Sequence, residues 1–570
     1  MLPTEETIQF QAWLKLEAWL GKAAKRWGFL AVVGVVVLTF GVRCLRLADP
    51  HHYYLYSPDS YFWHWVAQRV MAGAGPPPGS SGINYTLHSG LAYPLAYIAR
   101  AASWVFNLSS AQSLALAAKF LPPTLAAIIL IVMYVAVSRI WGRGVALFSA
   151  LAWALIFLPV YVTAGGYTDR DGLTALLLLT GALIFYFLKG YHAYVGKIDV
   201  GWLLAGFGVL AVEGLLYLEW GVVGAGLLLA VLLVYGVLKN VVGYVALLDS
   251  EPNAMRRIRT AARKLEWPAL ALIACVNIAA IALYHAHLAF YVRDIWYIVR
   301  SSGKPGAGGT AEELGLSFSD VVAFQFFLIP IALGLYSAWK SKNDASILFS
   351  GWFVVFGILS LVAWRFMLYA IPAICVTAGL GFGYLWDWRR RGTMPLTRTL
   401  VVAVLLILVL AFSFLSAASM NNQSATTADK DWQQALAYLS ESSPPDAVVM
   451  SQWTYGYWIL DLGQRHPFVD NGYYGYDSSR LQDVALAYLA TNPSDAAKIM
   501  AKDGADYLIF SRDDLNVAGP IMAWAGIEKG RSFPTNSLVV QSLRGQFVSG
   551  GGLDVAYRNQ EVVILQLTGH

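Results

Sequence analysis

The stretch 165-GGYTDRDGLTALLLLTGALIFYF-187 sets three charged residues directly against an apolar run of membrane-spanning length. Charge at the mouth of a span is costly unless it faces water, a partner or an ion. Asp169 and Asp171 therefore either cap the helix that follows, where a carboxylate suits the positive N-terminal end, or hold a cation. An i, i+2 pair of carboxylates on an extended turn has the hard oxygen donors that Mg²⁺ and Mn²⁺ prefer.

Outward from this stretch the chain keeps the same character. It is 57% hydrophobic and 13% charged over 570 residues, against about 25% charged in a soluble domain. Its mean hydropathy is +0.54. Apolar runs fall at 29–47, 117–139, 144–162, 172–188, 201–217, 219–238, 267–287, 321–339, 345–363, 366–385 and 399–418. These make about eleven spans, or up to about thirteen if the run 219–248 hides a re-entrant pair. The three cysteines, Cys44, Cys275 and Cys375, are far apart and lie in or beside apolar runs, so no disulfide framework or CxxC site is indicated.

Basic clusters orient the spans. Lys15, Lys22, Lys25 and Arg26, then Arg139 and Arg143, Lys189 and Lys197, 255-MRRIRTAARKLEW-267, Lys340 and Lys342, and 386-WDWRRRGTMPLTR-398 all fall on one face. The positive-inside rule makes that face cytoplasmic. Three parts follow: a cytoplasmic segment 1–28, a transmembrane region 29–419 and an extracytoplasmic globular domain 420–570. The outer loops of the membrane region are 48–116, 163–171 and 288–320. The fold class is a polytopic α-helical membrane protein with a C-terminal soluble α/β or α+β domain. In that domain 430–442 and 478–491 read as helices, and 447–452, 505–511 and 561–567 as strands.

Chemistry concentrates on the outer face. Asp59 lies in 57-SPDSYFWHWVAQRV-70, an aromatic-rich interfacial helix. Glu312 and Glu313 lie in 301-SSGKPGAGGTAEELG-315, whose Gly and Pro content reads as a mobile loop. Arg365, in 361-LVAWRFMLYAIP-372, suits a bidentate phosphate contact or snorkelling to the interface. The stretch 451-SQWTYGYWI-459, followed by 468-FVDNGYYG-475, reads as a membrane-interface belt, a recognition groove or ordinary aromatic packing.

Taken in order, these motifs resemble the catalytic subunit of oligosaccharyltransferase, in an archaeal-type form. GGYTDRDGL is similar to the family's second-loop DxD. TAEE matches Thr-x-x-Glu of its mobile outer loop, which assigns Glu313. WRFMLYAIP is similar to its lipid-pyrophosphate arginine segment. SQWTYGYWI is similar to SWWDYGYQI. The resemblance implies the fold of lipid-phosphosugar-dependent glycosyltransferases. It implies transfer of an oligosaccharide from a lipid (poly)phosphate to asparagine in Asn-x-Ser/Thr sequons, with a lipid-linked oligosaccharide, an acceptor polypeptide and the bilayer as partners, no nucleic acid, and a single subunit sufficing.

The same resemblance implies that Asp59, Asp169, Asp171 and Glu313 hold Mn²⁺ or Mg²⁺ and that Asp59 and Glu313 act on the acceptor amide. Arg365 binds the lipid phosphates, and Gln452, Trp453, Thr454, Tyr455, Gly456 and Ile521 read the acceptor. The chain departs from the family at Gln452 and Thr454, where Trp and Asp are expected. It departs again at Val517, in 512-RDDLNVAGPIMAW-524, where Lys is expected after Asp514. The carboxylate acceptor for a sequon hydroxyl is therefore missing. The competing readings are an O-mannosyl or aminosugar transferase of the same membrane fold, and a lipid-linked-sugar transporter or non-catalytic binding paralogue.

Overall fold

The computed structural model describes residues 29–48, 58–74, 90–156, 166–189, 198–220, 327–341, 343–360, 365–389, 395–419, 428–470, 478–527 and 532–568, with short pieces at 55, 159–160, 163–164, 194–195, 228–229, 231–233 and 235. The expected span 267–287 and the loop carrying Glu312 and Glu313 lie outside them, as does most of 219–238.

The membrane part is helical. Its described helices are α1 (Phe29–Cys44), α2 (Pro58–Met71), α3 (Ala92–Phe106), α4 (Ser110–Trp141), α5 (Arg143–Leu155), α6 (Asp171–Lys189), α7 (Val200–Trp220), α8 (Leu328–Ser341), α9 (Asp344–Leu359), α10 (Arg365–Trp388) and α11 (Pro395–Ser419). A two-residue-stranded hairpin, β1 (Tyr194–Val195) with β2 (Ile198–Asp199), joins α6 to α7. Among the described residues, Ser110–Trp141, Asp171–Leu188 and Phe366–Trp388 are long and apolar enough to cross a bilayer, with shorter apolar helices beside them. The chain is an integral membrane protein.

Three boundaries differ from the sequence expectation. Helix α4 starts at Ser110 rather than 117, because Ser109 and Gln112 form a reciprocal capping box. Helix α5 stops at Leu155 rather than running to 162, with Ile156 extended and Pro159 just beyond. The expected outer loop 48–116 contains the helix α3, which ends on Asn107 in the left-handed conformation (φ 52°).

Helix α10 is the centre of the bundle, packed by α8, α5 and α9. A Cβ on Gly381 would strike the Pro330 carbonyl, and one on Gly334 the Thr377 carbonyl. Small residues therefore let the α8 and α10 backbones touch, the usual basis of tight helix packing in lipid.

The C-terminal part is an α+β domain. In order it has α12 (Lys430–Ser442), β3 (Val448–Met450), a 3₁₀ turn (Trp453–Tyr455), α13 (Gly456–Asp461), β4 (His466–Pro467), α14 (Ser478–Leu489), α15 (Pro493–Asp503), β5 (Tyr507–Ser511), α16 (Ala518–Trp524), α17 (Leu538–Leu543), β6 (Ser549–Gly550), β7 (Leu553–Arg558) and β8 (Val562–Leu567). The sheet order is β4-β3-β5-β8-β7-β6, parallel among β4, β3 and β5 and antiparallel beyond.

Alternation along the strands divides two cores, as a period of two requires. Tyr507, Ile509, Val562 and Ile564 face a cluster shared with Tyr61, Phe62, Trp63 and Val66 of α2. Leu508, Phe510, Val563 and Leu565 face a separate cluster covered by α14, α16 and α17. The face that carries Tyr507 and Ile509 is covered by α12, and α13 carries the same cluster on to α2 of the membrane part.

Candidate functional site

Asp59 stands in the first turn of α2, half-buried, where the helix dipole favours a carboxylate. The next residue, Ser60, is fully buried and its Oγ accepts the Thr168 backbone N–H at 2.8 Å. Asp169 follows Thr168 directly. A single hydrogen bond therefore joins the two segments whose neighbouring residues are Asp59 and Asp169.

The acid loop is held from other sides as well. The Thr168 hydroxyl donates to the Ala118 carbonyl, and the Gly166 N–H donates to the Lys119 carbonyl at 3.0 Å. Gly166 takes φ +81°, which a side chain would resist. Asp169 Oδ1 accepts the Arg170 N–H at 2.6 Å, and the Arg170 carbonyl accepts from Thr174 N–H at 2.8 Å, opening α6 at Asp171.

At the start of the loop stands Arg43, which sequence reasoning missed. It is fully buried, and its Nε donates to Thr163 Oγ1 at 2.6 Å. Its other nitrogens reach the carbonyls of Trp153 at 3.0 Å and Ala154 at 3.4 Å, in the last turn of α5, and of Thr39 at 3.1 Å. The end of α5 leaves carbonyls without helical donors, and the guanidinium satisfies them. The available signal was an arginine near the end of the first apolar run, which is unusual enough inside a span to mark a function.

The donor set suits a hard divalent cation by chemistry, since every candidate ligand is a carboxylate. Among the described residues no three acidic, histidine or cysteine side chains lie close enough to hold a metal ion. The fourth expected ligand, Glu313, lies outside the described residues. Arg365 is the first residue of α10.

In the C-terminal domain the aligned motif is built from the inside. Gln452, buried, caps the 3₁₀ turn: its Oε1 accepts the Thr454 N–H at 3.0 Å and also the Thr454 hydroxyl. The Gln452 N–H donates to Tyr488 Oη at 2.9 Å, and that hydroxyl donates to the Ile509 carbonyl at 2.7 Å. Trp453 packs edge-on against Trp524 with ring centroids 4.4 Å apart. Tyr455 is buried against Trp432 at 4.4 Å and donates to Asp514 Oδ1 at 3.0 Å.

Asp514, fully buried, also caps the turn it belongs to by accepting the Ser511 N–H at 2.7 Å. Burial drives its carboxyl up to about 7, against the Ser511 amide and the Tyr455 hydroxyl, which favour the anion. Gly456 is required by close approach, because a Cβ there would meet Asp470 Cα at 2.5 Å. That contact packs the Tyr455-Gly456 segment directly on Val469 and Asp470. Ile521 is fully buried in the far core, and Val517 is half-buried.

The two halves meet at a pair the sequence did not single out. His64 Nδ1 lies 2.9 and 3.0 Å from the two oxygens of Asp461, whose side chain is only 2% exposed. His64 is one turn after Ser60 on α2, and Asp461 ends α13, which begins at Gly456. Burial disfavours the imidazolium, but the Asp461 charge and hydrogen bond outweigh it and raise the His64 pKa. Phe62 stacks obliquely on Tyr457 at 4.9 Å alongside.

No family model matches the chain. A stretch of 107 residues is 34% identical to the dolichyl-diphosphooligosaccharide–protein glycosyltransferase subunit stt-3 of Caenorhabditis elegans, covering 17% of this chain and 14% of that protein. A stretch of 94 residues is 30% identical to subunit STT3B of Oryza sativa, covering 15% and 13%. The matched stretches thus span a small part of these relatives.

Likeness of fold extends much further. The archaeal oligosaccharyltransferase AglB of Archaeoglobus fulgidus, solved with an inhibitory peptide and a dolichol-phosphate, superposes with a TM-score of 0.71 at 13% identity, over 94% of this chain and 80% of that one. ArnT of Cupriavidus metallidurans, solved with undecaprenyl phosphate, gives 0.52 at 13% identity, over 95% and 98%. The fold is that of multi-span membrane glycosyltransferases, and the family resemblance read from the sequence recurs in both comparisons.

Proposed function

We propose that this chain is the catalytic subunit of an archaeal-type oligosaccharyltransferase. It transfers an oligosaccharide from a lipid (poly)phosphate carrier to the side-chain amide of asparagine in Asn-x-Ser/Thr, on the extracytoplasmic face, as a single subunit. The observation that carries this reading is the Ser60–Thr168 hydrogen bond, which sets the helix of Asp59 beside the acid loop under the docked C-terminal domain. It is supported by the AglB-like fold, since relatives of that fold were solved with a dolichol-phosphate, with a tethered NVT acceptor peptide, and with Zn and sulfate.

Asp59, Asp169 and Asp171, which are not gathered closely enough to hold an ion by themselves, would hold Mn²⁺ or Mg²⁺ together with Glu313. A divalent cation there supplies charge to a departing phosphate. Asp59 and Glu313 would also accept hydrogen bonds from the acceptor amide and orient its weakly nucleophilic nitrogen. Arg365 pairs with the lipid phosphates through its fixed fork of donors. Thr454, half-buried, would meet the residue two beyond the asparagine, while Gln452, Trp453, Tyr455, Gly456 and Ile521 are buried behind it and would act by holding it in place.

The test is transfer by the purified protein from a lipid-linked oligosaccharide to a labelled Asn-x-Thr peptide, with and without added Mn²⁺. Asp59→Ala is expected to reduce turnover at least about a hundredfold while the protein stays folded. Near-normal transfer by that variant overturns the assignment. The second reading, another lipid-phosphosugar transferase, is favoured by the likeness to ArnT over 95% of the chain and by Thr454 standing where a carboxylate is expected. It requires release of sugar to a non-peptide acceptor in the same assay.

A further inference from the structure

Helix α4 carries two adjacent prolines in its interior, Pro122 and Pro123. Proline has no N–H, so each leaves the carbonyl four residues earlier without its helical donor, and its ring pushes that carbonyl aside. The carbonyls in question are those of Ala118 and Lys119. These are the two that the acid loop uses. The Thr168 hydroxyl donates to Ala118, and the Gly166 N–H donates to Lys119 at 3.0 Å.

We propose that Pro122 and Pro123 are positioning residues for the Asp169–Asp171 loop, opening in α4 a two-carbonyl dock that fixes the loop against Asp59. In a membrane span a carbonyl freed by proline must find another donor, because lipid offers none. Here the donors come from the two residues, Gly166 and Thr168, that lead into Asp169. The second contact of Thr168, its N–H on Ser60 Oγ at 2.8 Å, then aligns the docked loop with α2. Both prolines are fully buried, in keeping with a covered dock. The sequence displays the pair openly, as 120-FLPP-123, yet periodicity and hydropathy treat it as an imperfection in a span.

The inference rests on the functional reading above for its effect on turnover, but the docking can be measured without any reaction. In the full-length protein, amide hydrogen exchange of the 163–171 loop is compared between wild type and Pro122→Ala/Pro123→Ala. Restored helical N–H groups compete for both carbonyls, so the loop is expected to exchange faster. Turnover with a lipid-linked oligosaccharide and an Asn-x-Thr peptide is expected to fall on the order of tenfold to a hundredfold, with acceptor KM changed less than about threefold.

The thermal midpoint is expected to stay level or rise, because alanine suits a helix interior better than proline. Thr168→Val, which removes the hydroxyl donor, should lower kcat in the same way and add little to the proline variant. Unchanged loop exchange, wild-type kcat, or a loss of activity that merely follows a lower midpoint overturns the proposal. If wild type transfers nothing while loop exchange still depends on the prolines, the dock stands and the functional reading falls.

Discussion

At the residue scale, Gln452 and Thr454, where the chain departs from the motif it resembles, have a physical reading. Thr454 gives its hydroxyl proton to Gln452 Oε1, so its oxygen is left with lone pairs to offer. A neutral, half-buried acceptor thereby takes the place of a carboxylate. Thr454→Val keeps the shape and removes that oxygen. It is expected to lower kcat/KM for Asn-x-Thr peptides by roughly threefold to tenfold and to leave the weak Asn-x-Ala reaction unchanged, as a peptide series measures.

Asp514 makes a different prediction. Its carboxyl stands at about 7 in the folded protein against 3.8 when free. The folded state therefore holds a proton that the unfolded state releases. This contribution to stability is complete below about pH 4 and is lost as pH rises through 7. The difference in thermal midpoint between wild type and Asp514→Asn should shrink across that window. A constant difference from pH 4.5 to 8 contradicts the burial argument.

At the scale of elements, helices were legible where apolar runs are long, and α6 and α10 fall close to expectation. The start of α4 was missed because its limit is a cap, Ser109 with Gln112, rather than a change in hydropathy. In the outer domain the strands β3, β5 and β8 were visible as apolar runs. Strand β7 (Leu553–Arg558) was not, since its burial is partial and its charged residues mask the alternation. The Tyr455-Gly456 segment illustrates the limit well. The sequence offered it as a membrane-interface belt, a groove or packing, and the Asp470 backbone beside Gly456 shows close packing at its centre. Gly456→Ala forces two backbones apart and is expected to destabilise the domain by about 1–3 kcal/mol, read from chemical denaturation followed by tryptophan fluorescence.

At the scale of the whole molecule, α2 couples the membrane part to the outer domain. Apolar contacts dock the domain, and the His64–Asp461 pair adds a directional contact between α2 and α13. His64→Ala leaves a buried carboxylate without this partner and is expected to cost about 1–3 kcal/mol. The contribution of the pair should be full below about pH 6.5 and fade as pH rises through the raised His64 value. A double-mutant cycle with Asp461→Ala at pH 6 and pH 9 measures this, and equal coupling at both values tells against it.

The sequence by itself determined the membrane class, the long helical spans, the mixed helix-and-strand character of the tail and the order of motifs that carries the family resemblance, and left α/β or α+β open. These follow from local composition and period, which a chain displays without folding. Tertiary structure alone decided which of those motifs touch. The carbonyls freed by Pro122 and Pro123, the Arg43 guanidinium on the end of α5, and the Ser60–Thr168 and His64–Asp461 contacts each join segments far apart in the chain. Such partners are set by hydrogen-bonding groups that must be satisfied once buried, and burial exists only in the folded molecule.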